Sequence, residues 1–271
     1  MWNDRQTIEI FHLLFLRAFG ARVDKALFAL KGGCNLRFFL KSIRYSEDMD
    51  LDIQTMAVGT LQNNVNRLLE TPAFVQALRA QGIELARTAQ PKQTGTTQRW
   101  KLGLRVVESG TEIPTKVEFS RRGLDSQTAV ESVDSEIIRA YRLYPVIVQH
   151  YNIRAAFAQK VSALALRDQV QSRDVFDLNV LLGEELDARL PAVDVVLLRH
   201  HLSNQVLREA ATRALDMSHD QFEGQVAAFL RSDARARHSP QWDAMQVRVA
   251  SFIERLEQHP KSNGESRGTR P

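Results

Sequence analysis

Residues 48–53 alternate strictly between aspartates and apolar side chains, in the order Asp-Met-Asp-Leu-Asp-Ile. Alternate residues of a β-strand lie on one face, so the pattern predicts a strand with Asp48, Asp50 and Asp52 in one row and its apolar residues in the core. Carboxylates in a row repel one another unless a cation lies among them. The row is therefore either a Mg²⁺ site, with Asp52 at its end as a spectator, or the charged face of an exposed edge strand.

The segment before this strand has the pattern of a strand, a turn and a helix. The apolar run over residues 26–30 predicts a buried strand, and a short helix is expected over residues 34–41. Gly32 and Gly33 lie between them, where glycine allows positive φ angles and a close approach of the backbone to a ligand. Since a helix start also offers unpaired N–H groups, the segment is either a phosphate cradle or a structural turn.

The rest of the chain divides into a mixed half and a helical half. The composition, 44% hydrophobic and 25% charged over 271 residues, is typical of globular proteins and excludes wholesale disorder. Before Pro145, the periodicity predicts helices over residues 5–19 and 58–81 and strands over residues 83–89, 99–107 and 113–120. After it, the predicted helices cover residues 151–170, 172–182, 192–215, 218–231 and 240–257.

The predicted fold class is therefore α+β, with three regions along the chain. Residues 1–145 are expected to form an α/β region with the metal site, and residues 146–259 an all-helical C-terminal region. Residues 260–271 have the composition of a disordered tail. No apolar run approaches the roughly 20 residues that a membrane span requires, so no membrane association is expected.

Charge and cysteine usage narrow the partners and the compartment. The formal net charge is +4, and 28 of the 36 basic residues are arginine. This excess is compatible with a polyanionic partner, and arginine forks suit phosphates, although codon usage alone could produce the same bias. Cys34 is the only cysteine, which excludes an intramolecular disulfide and a cysteine-cluster metal site and fits a reducing cytoplasm.

A second candidate element is the strand Thr-Lys-Val-Glu-Phe-Ser-Arg-Arg at residues 115–122. Its alternation puts Lys116, Glu118 and Ser120 on one face. A carboxylate on a neighbouring strand would complete a two-metal site after Asp48 and Asp50, because such sites need ligands from more than one element. The alternative is a cross-strand Lys–Glu pair on the surface.

A third candidate element lies in the helical half. Lys160 and Arg167 are seven residues apart, two helical turns, and therefore share a face. Ser172 is expected to cap the next helix, which puts Asp174 in its first turn. In the alternative to a functional role, Asp174 complements the helix dipole and Lys160 is solvated.

Together these motifs resemble a known family. The Gly-Gly turn, short helix and acidic strand resemble the nucleotidyltransferase fold of DNA polymerase beta. The form R-x-S-E-D-x-D at residues 44–50 more specifically resembles the AbiEii and MenT toxins of type IV toxin–antitoxin systems. These families commonly carry Ser or Thr after the glycines, where this chain has Cys34. That departure affects a hydroxyl contact to phosphate but not the backbone cradle.

The resemblance extends to the later motifs and implies roles for their residues. The family has a K-x-[DE] strand, here Lys116 and Glu118, and a late motif K-x-x-A-x-x-x-R followed by R-D-x-x-D-L. The late motif is matched at Lys160, Ala163, Arg167, Arg173, Asp174, Asp177 and Leu178. The implied catalytic residues are Asp48, Asp50, Lys160 and Asp174; the implied nucleotide-binding residues are Gly32, Gly33, Ser46, Lys160 and Arg167; the implied metal ligands are Asp48, Asp50 and Glu118, with Asp52 open as an alternative to Glu118.

By the same resemblance, the reaction is transfer of a nucleoside monophosphate from an NTP with two Mg²⁺ ions and release of pyrophosphate. The acceptor implied by the family is RNA, commonly the 3′ end of tRNA, and the outcome is arrested growth controlled by a cognate antitoxin. Two alternatives stay open on the sequence alone. One is a small-molecule nucleotidyltransferase, and the other is a catalytically inactive nucleotidyltransferase-like RNA-binding module.

Overall fold

The computed structural model describes residues 2–124, 127–183 and 202–259. The chain forms two compact units, the first running to Ala156 and including Phe229–Arg231, and the second beginning at Phe157. The sequence places the boundary at Pro145. It lies later in the structure because a strand after Pro145 still belongs to the sheet of the first unit.

The first unit is a mixed sheet with helices, as the predicted α+β class requires. Its strands form one seven-stranded sheet in the order β3-β4-β5-β2-β1-β7-β6. The strands are β1 Phe28–Lys31, β2 Asp48–Ile53, β3 Ile83–Gln93, β4 Thr97–Val106, β5 Glu112–Ser120, β6 Thr128–Ser132 and β7 Ile147–Tyr151. The helices are α1 Asp4–Gly20, α2 Gly32–Phe39, α3 Val58–Glu70, α4 Pro72–Arg79 and α5 Ser135–Ala140, and α6 Ile153–Leu166 begins here.

The sequence predictions for this unit are confirmed for most elements and wrong for a few. Residues 58–81 form α3 and α4 rather than one helix, because Pro72 starts a new helix at its first position. The short helix α2 begins at Gly32 and not at Cys34. The sequence analysis missed β6, α5 and β7, which are short and lack a strong periodicity of their own.

The core lies on one face of the sheet. The apolar residues of β2, Met49, Leu51 and Ile53, are buried with helix residues of α1, α3 and α4. Trp100 of β4 is also fully buried there, and its indole N–H donates to Asn66 at 2.9 Å. The alternation of β2 therefore turns its three aspartates to the other face.

The register of the sheet sets the geometry of that acidic face. Strand β2 runs parallel to β5 and antiparallel to β1. Asp48 is the direct partner of Lys116, and Asp50 is the direct partner of Glu118. On its other side Asp50 is the partner of Lys31. Charged side chains from three adjacent strands thus meet around Asp50.

The second unit is helical throughout the residues that the structure describes. Its helices are the end of α6, then α7 Ser172–Leu182, α8 Asn204–Leu215, α9 His219–Gln225, α10 Ser232–His238 and α11 Trp242–Gln258. The predicted helix over 192–215 is confirmed from Asn204, and its part before residue 202 lies outside the described residues. The predicted tail, residues 260–271, also lies outside them. Among the described residues, no helix is long and apolar enough to cross a membrane.

Candidate active site

The centre of the candidate site is a group of three carboxylates with two cations between them. Lys116 Nζ lies 3.0 Å from Asp48 Oδ2 and 4.0 Å from Glu118 Oε2. Arg99 of β4 donates from Nε to Glu118 Oε2 at 2.5 Å. The register explains this arrangement, since Arg99 is the cross-strand partner of Glu118. Two of the three carboxylates are therefore already engaged by protein cations.

Asp50 differs from its neighbours. Within the part of the chain that the structure describes, its carboxylate has no ion pair or hydrogen bond. Burial raises the pKa of Asp50; Lys116 opposes this, whereas the carboxylates of Asp48 and Glu118 add to it. A carboxylate in this position is destabilised in its charged form, and a nearby cation would relieve it.

Asp52 lies on the same strand face but in a closed environment. Its Oδ1 accepts from Lys31 Nζ at 2.5 Å, and its Oδ2 accepts from the Tyr151 hydroxyl at 2.8 Å. Both oxygens of this buried carboxylate therefore have protein partners. Asp52 as a spectator, with Glu118 as the third metal ligand, stays a prediction.

The two glycines bring the start of α2 against the acidic strand. Gly32 has φ +67°, and a Cβ atom on it would lie 3.0 Å from Asp50 Oδ2. A Cβ atom on Gly33 would come within 2.5 Å of Ser46 Oγ and 3.3 Å of Arg44 Nη2. The Ser46 hydroxyl in turn donates to the Asp48 carbonyl at 2.9 Å. Only glycine fits at these positions, and the helix N-terminus therefore lies close to the carboxylates.

Cys34 stands where the resemblance described above leads us to expect Ser or Thr, and its side chain contacts other protein atoms. Its side chain is 1% exposed, and Sγ lies 3.3 Å from the Asp48 carbonyl and 3.4 Å from His12 Nδ1. Burial raises the pKa of the thiol well above its ordinary value, and that of His12 falls to about 3 for the same reason. Cys34 thus acts as a neutral packing group behind β2 rather than as a phosphate ligand.

The donor chemistry suits Mg²⁺, although the carboxylates do not form a complete cage. Among the described residues, no three His, Cys, Asp or Glu side chains are arranged to hold a metal ion. Mg²⁺ is usually bound by one or two carboxylates together with substrate phosphates. Asp50 fits that requirement as it stands, whereas Asp48 would have to exchange its Lys116 contact and Glu118 its Arg99 contact.

The second group of predicted residues forms an ion-pair cluster within the second unit. Lys160 Nζ lies 2.8 Å from Asp174 Oδ1 and 2.6 Å from Asp177 Oδ2. Arg167 Nη1 lies 2.8 Å from Asp174 Oδ2 and also donates to Gln171 at 2.7 Å. Both aspartates are 0% exposed and Lys160 is 9% exposed. Lys160 and Arg167 both contact Asp174, although Arg167 follows the last residue of α6, and the alternative of a solvated Lys160 is wrong.

One local detail of this cluster corrects the sequence analysis. Ser172 does not cap α7, because the cap is Gln171 and Ser172 is the first helical residue. The Ser172 hydroxyl instead donates to the Gln221 carbonyl at 2.9 Å. Asp174 does lie in the first turn of α7, as expected, but its two cationic partners show that it does more than complement the helix dipole.

Several residues around the carboxylates were missed by sequence reasoning. Lys31 and Tyr151 engage Asp52, and Arg99 engages Glu118. Arg99 lies between the buried residues Gln98 and Trp100 of β4, so strand alternation puts its side chain on the opposite face of the sheet. That face could have been predicted from the sequence once the strand was identified. The position of Tyr151 depends on β7, which was not predicted.

Comparison with known proteins supports the fold and identifies the family. The crystal structure of JHP933 from Helicobacter pylori is similar, with 17% identity and a TM-score of 0.53 over 92% of this chain and 94% of that chain. A second H. pylori crystal structure, described as a provisionally assigned nucleotidyltransferase, has 16% identity and a TM-score of 0.54 over 94% of this chain and 99% of that chain. No curated protein matches.

The family comparison covers most of the chain. The model of the family described as "Nucleotidyl transferase AbiEii toxin, Type IV TA system" matches residues 14–251. This range includes the acidic strand, the glycines before it and the Lys160 cluster. The chain therefore belongs to the AbiEii family of nucleotidyltransferase toxins of type IV toxin–antitoxin systems.

Proposed function

We propose that this AbiEii-family protein transfers a nucleoside monophosphate from an NTP to an RNA acceptor, the 3′ end of tRNA, in a Mg²⁺-dependent reaction. The observation that carries the proposal is the environment of Asp50. Its carboxylate lies between Asp48 and Glu118 and has no ion pair with any described residue, and it adjoins the start of α2, where the N-cap residue Lys31 makes no side-chain capping hydrogen bond. Such an arrangement costs stability unless a cation and an anionic ligand occupy it together.

Each residue of the first unit has a defined task in this proposal. Asp48 and Asp50 hold Mg²⁺, and Glu118 joins as a third ligand when it leaves Arg99. Bound Mg²⁺, as two ions, would activate the acceptor hydroxyl and neutralise charge on the phosphates. The backbone N–H groups at Gly32 and Gly33 and the Ser46 hydroxyl would donate hydrogen bonds to phosphate oxygens. In this structure the Ser46 hydroxyl donates to the Asp48 carbonyl, which holds it beside the glycines.

Lys116 and Arg99 control the charge of the acidic group before substrate binds. Lys116 lies between Asp48 and Glu118, and Arg99 holds Glu118. Neither cation removes the negative excess at Asp50, since burial and the neighbouring carboxylates still raise its pKa. The chain therefore keeps the carboxylates oriented while leaving them able to accept a divalent cation.

For the second unit we propose a role in nucleotide binding through Lys160 and Arg167 and in catalysis through Asp174. The support is the family membership and the completeness of the motif, whose cations and carboxylates lie within hydrogen-bonding distance of one another. The buried pairing fixes the orientation of Lys160 and of Asp174. A preorganised charged group of this kind needs no reorganisation when the reaction takes place.

The proposal includes cytoplasmic localisation and a cognate antitoxin, both on the basis of the family. The acceptor class rests on charge as well. The net charge is +4 with arginine in excess. In the described part of the second unit Arg237 is exposed without an ion pair to a described residue, whereas the exposed Arg208 and Arg235 are paired with Glu257 and Glu223. A polyanion gains affinity from such charges. A small hydroxylated acceptor has no use for them, which disfavours the small-molecule alternative.

The test is a transfer assay with the purified full chain. The protein is incubated with Mg²⁺, each α-labelled NTP in turn and total tRNA, and label in the RNA is quantified after electrophoresis. We expect Mg²⁺-dependent labelling of tRNA with one NTP preferred, and no labelling by the Asp50→Asn variant. Labelling of a small hydroxylated compound with none of tRNA would favour the small-molecule enzyme. Absence of any transfer with preserved RNA binding would favour the inactive module.

A further inference from the structure

A strip of cations extends from the acidic group across the exposed face of β5, β4 and β3. Lys116 is the cross-strand partner of Lys101, and Glu118 is that of Arg99. Arg99 is in turn the partner of Lys92 on β3. These side chains lie on the face opposite Trp100 and the rest of the core. The strip therefore begins beside Asp48 and runs outward to the edge of the sheet.

The same face contains an open cavity of about 570 Å³. Three adjacent strands supply its cations, Arg87, Lys101 and Lys116, and Glu47 and Asp48 lie among its lining residues. The cavity thus adjoins the acidic group on the sheet.

The cations of this strip are only partly neutralised. Arg87 is paired with Glu112 at 3.1 Å, and Lys116 with Asp48 at 3.0 Å. Lys101 and Lys92 are exposed and have no ion pair with any described residue. Lys101 and Lys116 are directly opposed like charges, which destabilise a sheet unless an anion lies between them.

We propose that this strip binds the backbone phosphates of the RNA acceptor strand and leads its end to Asp48 and Asp50. The proposal rests on the function given above, and it adds the acceptor path to it. A single RNA strand suits an open, positively charged groove because affinity comes from phosphates and needs no base readout. The order β2-β5-β4-β3 spans three inter-strand spacings, about 14 Å. That is longer than one triphosphate and fits consecutive phosphates of a chain.

The experiment compares two double variants of the full chain. In Lys92→Ala/Lys101→Ala both unpaired cations of the strip are removed. The matched control Arg67→Ala/Arg139→Ala also removes two exposed cations, from α3 and α5, which lie outside the strip. For each protein the KM values for total tRNA and for the preferred NTP are measured, together with tRNA binding at several salt concentrations without NTP.

We expect the strip variant to raise the KM for tRNA by roughly tenfold and to lower the salt slope of tRNA binding by about 1.4, two contacts at about 0.7 each. The KM for NTP should stay within twofold, and Lys92→Arg/Lys101→Arg should recover tRNA binding. An unchanged KM for tRNA, an effect no larger than that of the control, or a rise in the KM for NTP instead would overturn the proposal. If wild type labels no RNA, the proposed function fails, and the salt-slope comparison still decides whether the strip binds RNA.

Discussion

Two groups of aspartates in this protein illustrate opposite uses of a carboxylate. Asp174 and Asp177 in the second unit are 0% exposed, and Lys160 lies within 2.8 Å of one and 2.6 Å of the other. Asp48 and Asp50 in the first unit are half-buried; Asp48 pairs with Lys116, and Asp50 has no ion pair with any described residue. Both aspartates of the second unit therefore have a close cation, whereas in the first unit only Asp48 has one and Asp50 does not.

The difference indicates which group is built to receive something from outside. Buried carboxylates with nearby cations and fixed hydrogen bonds hold a local structure in place, and removing one partner leaves an uncompensated charge. An unpaired carboxylate with a raised pKa, such as Asp50, is instead a feature that recurs at functional sites. Removing Asp48 or Asp50 should therefore cost activity without loss of the fold, whereas removing Lys160 should also cost stability.

The largest expected effect is on catalysis in the acidic strand. Asp48→Ala or Asp50→Ala should lower nucleotide transfer about a thousandfold or more, because several kcal/mol of transition-state stabilisation depend on the bound metal. The measurement is the initial rate of transfer at saturating NTP, with circular dichroism to confirm the fold. Near wild-type turnover in Asp48→Ala would show that the acidic strand is not the metal site.

The second prediction concerns stability in the Lys160 cluster. Lys160→Met should destabilise the protein by about 3 to 5 kcal/mol, because two buried carboxylates lose a cation. From the sequence alone, loss of this lysine is expected to weaken NTP binding and slow transfer without loss of thermal stability; its burial changes the expectation for stability. The measurement is the free energy of unfolding by denaturant titration. If two unfolding transitions are observed, the value for the second unit is the one to compare.

A double variant separates the structural role of Lys160 from the functional one. In Lys160→Met/Asp177→Asn a lysine and one buried charge are removed together, which leaves Arg167 paired with Asp174. We expect most of the stability to return while transfer and NTP affinity stay low. Recovery of activity along with stability would mean that Lys160 is only structural.

The third prediction concerns the stability of the acidic strand: replacing Asp50 should stabilise the protein, whereas replacing Lys160 should destabilise it. Burial raises the pKa of Asp50 in the native state, so the native state binds a proton more tightly than the unfolded state. Stability therefore falls as pH rises from the unfolded-state pKa through the raised native pKa, and the penalty persists at neutral pH. Asp50→Asn removes it and should raise Tm by a few degrees at pH 7 without divalent cations.

The check on this prediction is the Tm as a function of pH for wild type and Asp50→Asn. The difference in Tm between wild type and Asp50→Asn should become smaller as the pH falls below the raised pKa of Asp50. Addition of Mg²⁺ and NTP should raise the Tm of wild type and leave that of the variant almost unchanged. A variant less stable than wild type at neutral pH would contradict the assignment of Asp50 as a strained, unpaired carboxylate.

The sequence was sufficient for features that depend on local periodicity. Strand β2 has the predicted bounds and its apolar residues are buried, and helix α7 spans the predicted residues. The sequence predicted that Glu118 lies on a strand next to β2. It did not predict that Glu118 is the direct partner of Asp50, because the register is decided by pairing between distant segments. Alternation fixes the face of a side chain but not its partner.

What the sequence could not supply is the state of each charge. Lys160 is hydrophilic by type, and only its tertiary surroundings show that it is buried between two aspartates. Cys34 was judged by the hydroxyl residue it replaces, whereas the structure shows it packed against His12 behind the strand. The Tyr151 contact to Asp52 required β7, a short strand whose pairing with β1 and β6 comes from packing rather than from pattern.

The smallest expected effect comes from Asp52, two residues along the same strand face from Asp50. Asp52→Asn keeps a side chain that can accept from the Tyr151 hydroxyl and loses the charge that faces Lys31. That ion pair is partly exposed on the lysine side, so its loss should cost no more than about 1 kcal/mol. We expect transfer within about threefold of wild type, measured as kcat at saturating NTP and tRNA, because neither oxygen of Asp52 is free to bind a metal.

A loss comparable to that of Asp50→Ala would make Asp52 the third ligand in place of Glu118, and Glu118→Gln would then have almost no effect on transfer. The pair of measurements thus decides between the two carboxylates, since both have protein partners in this structure and only one must give them up during the reaction.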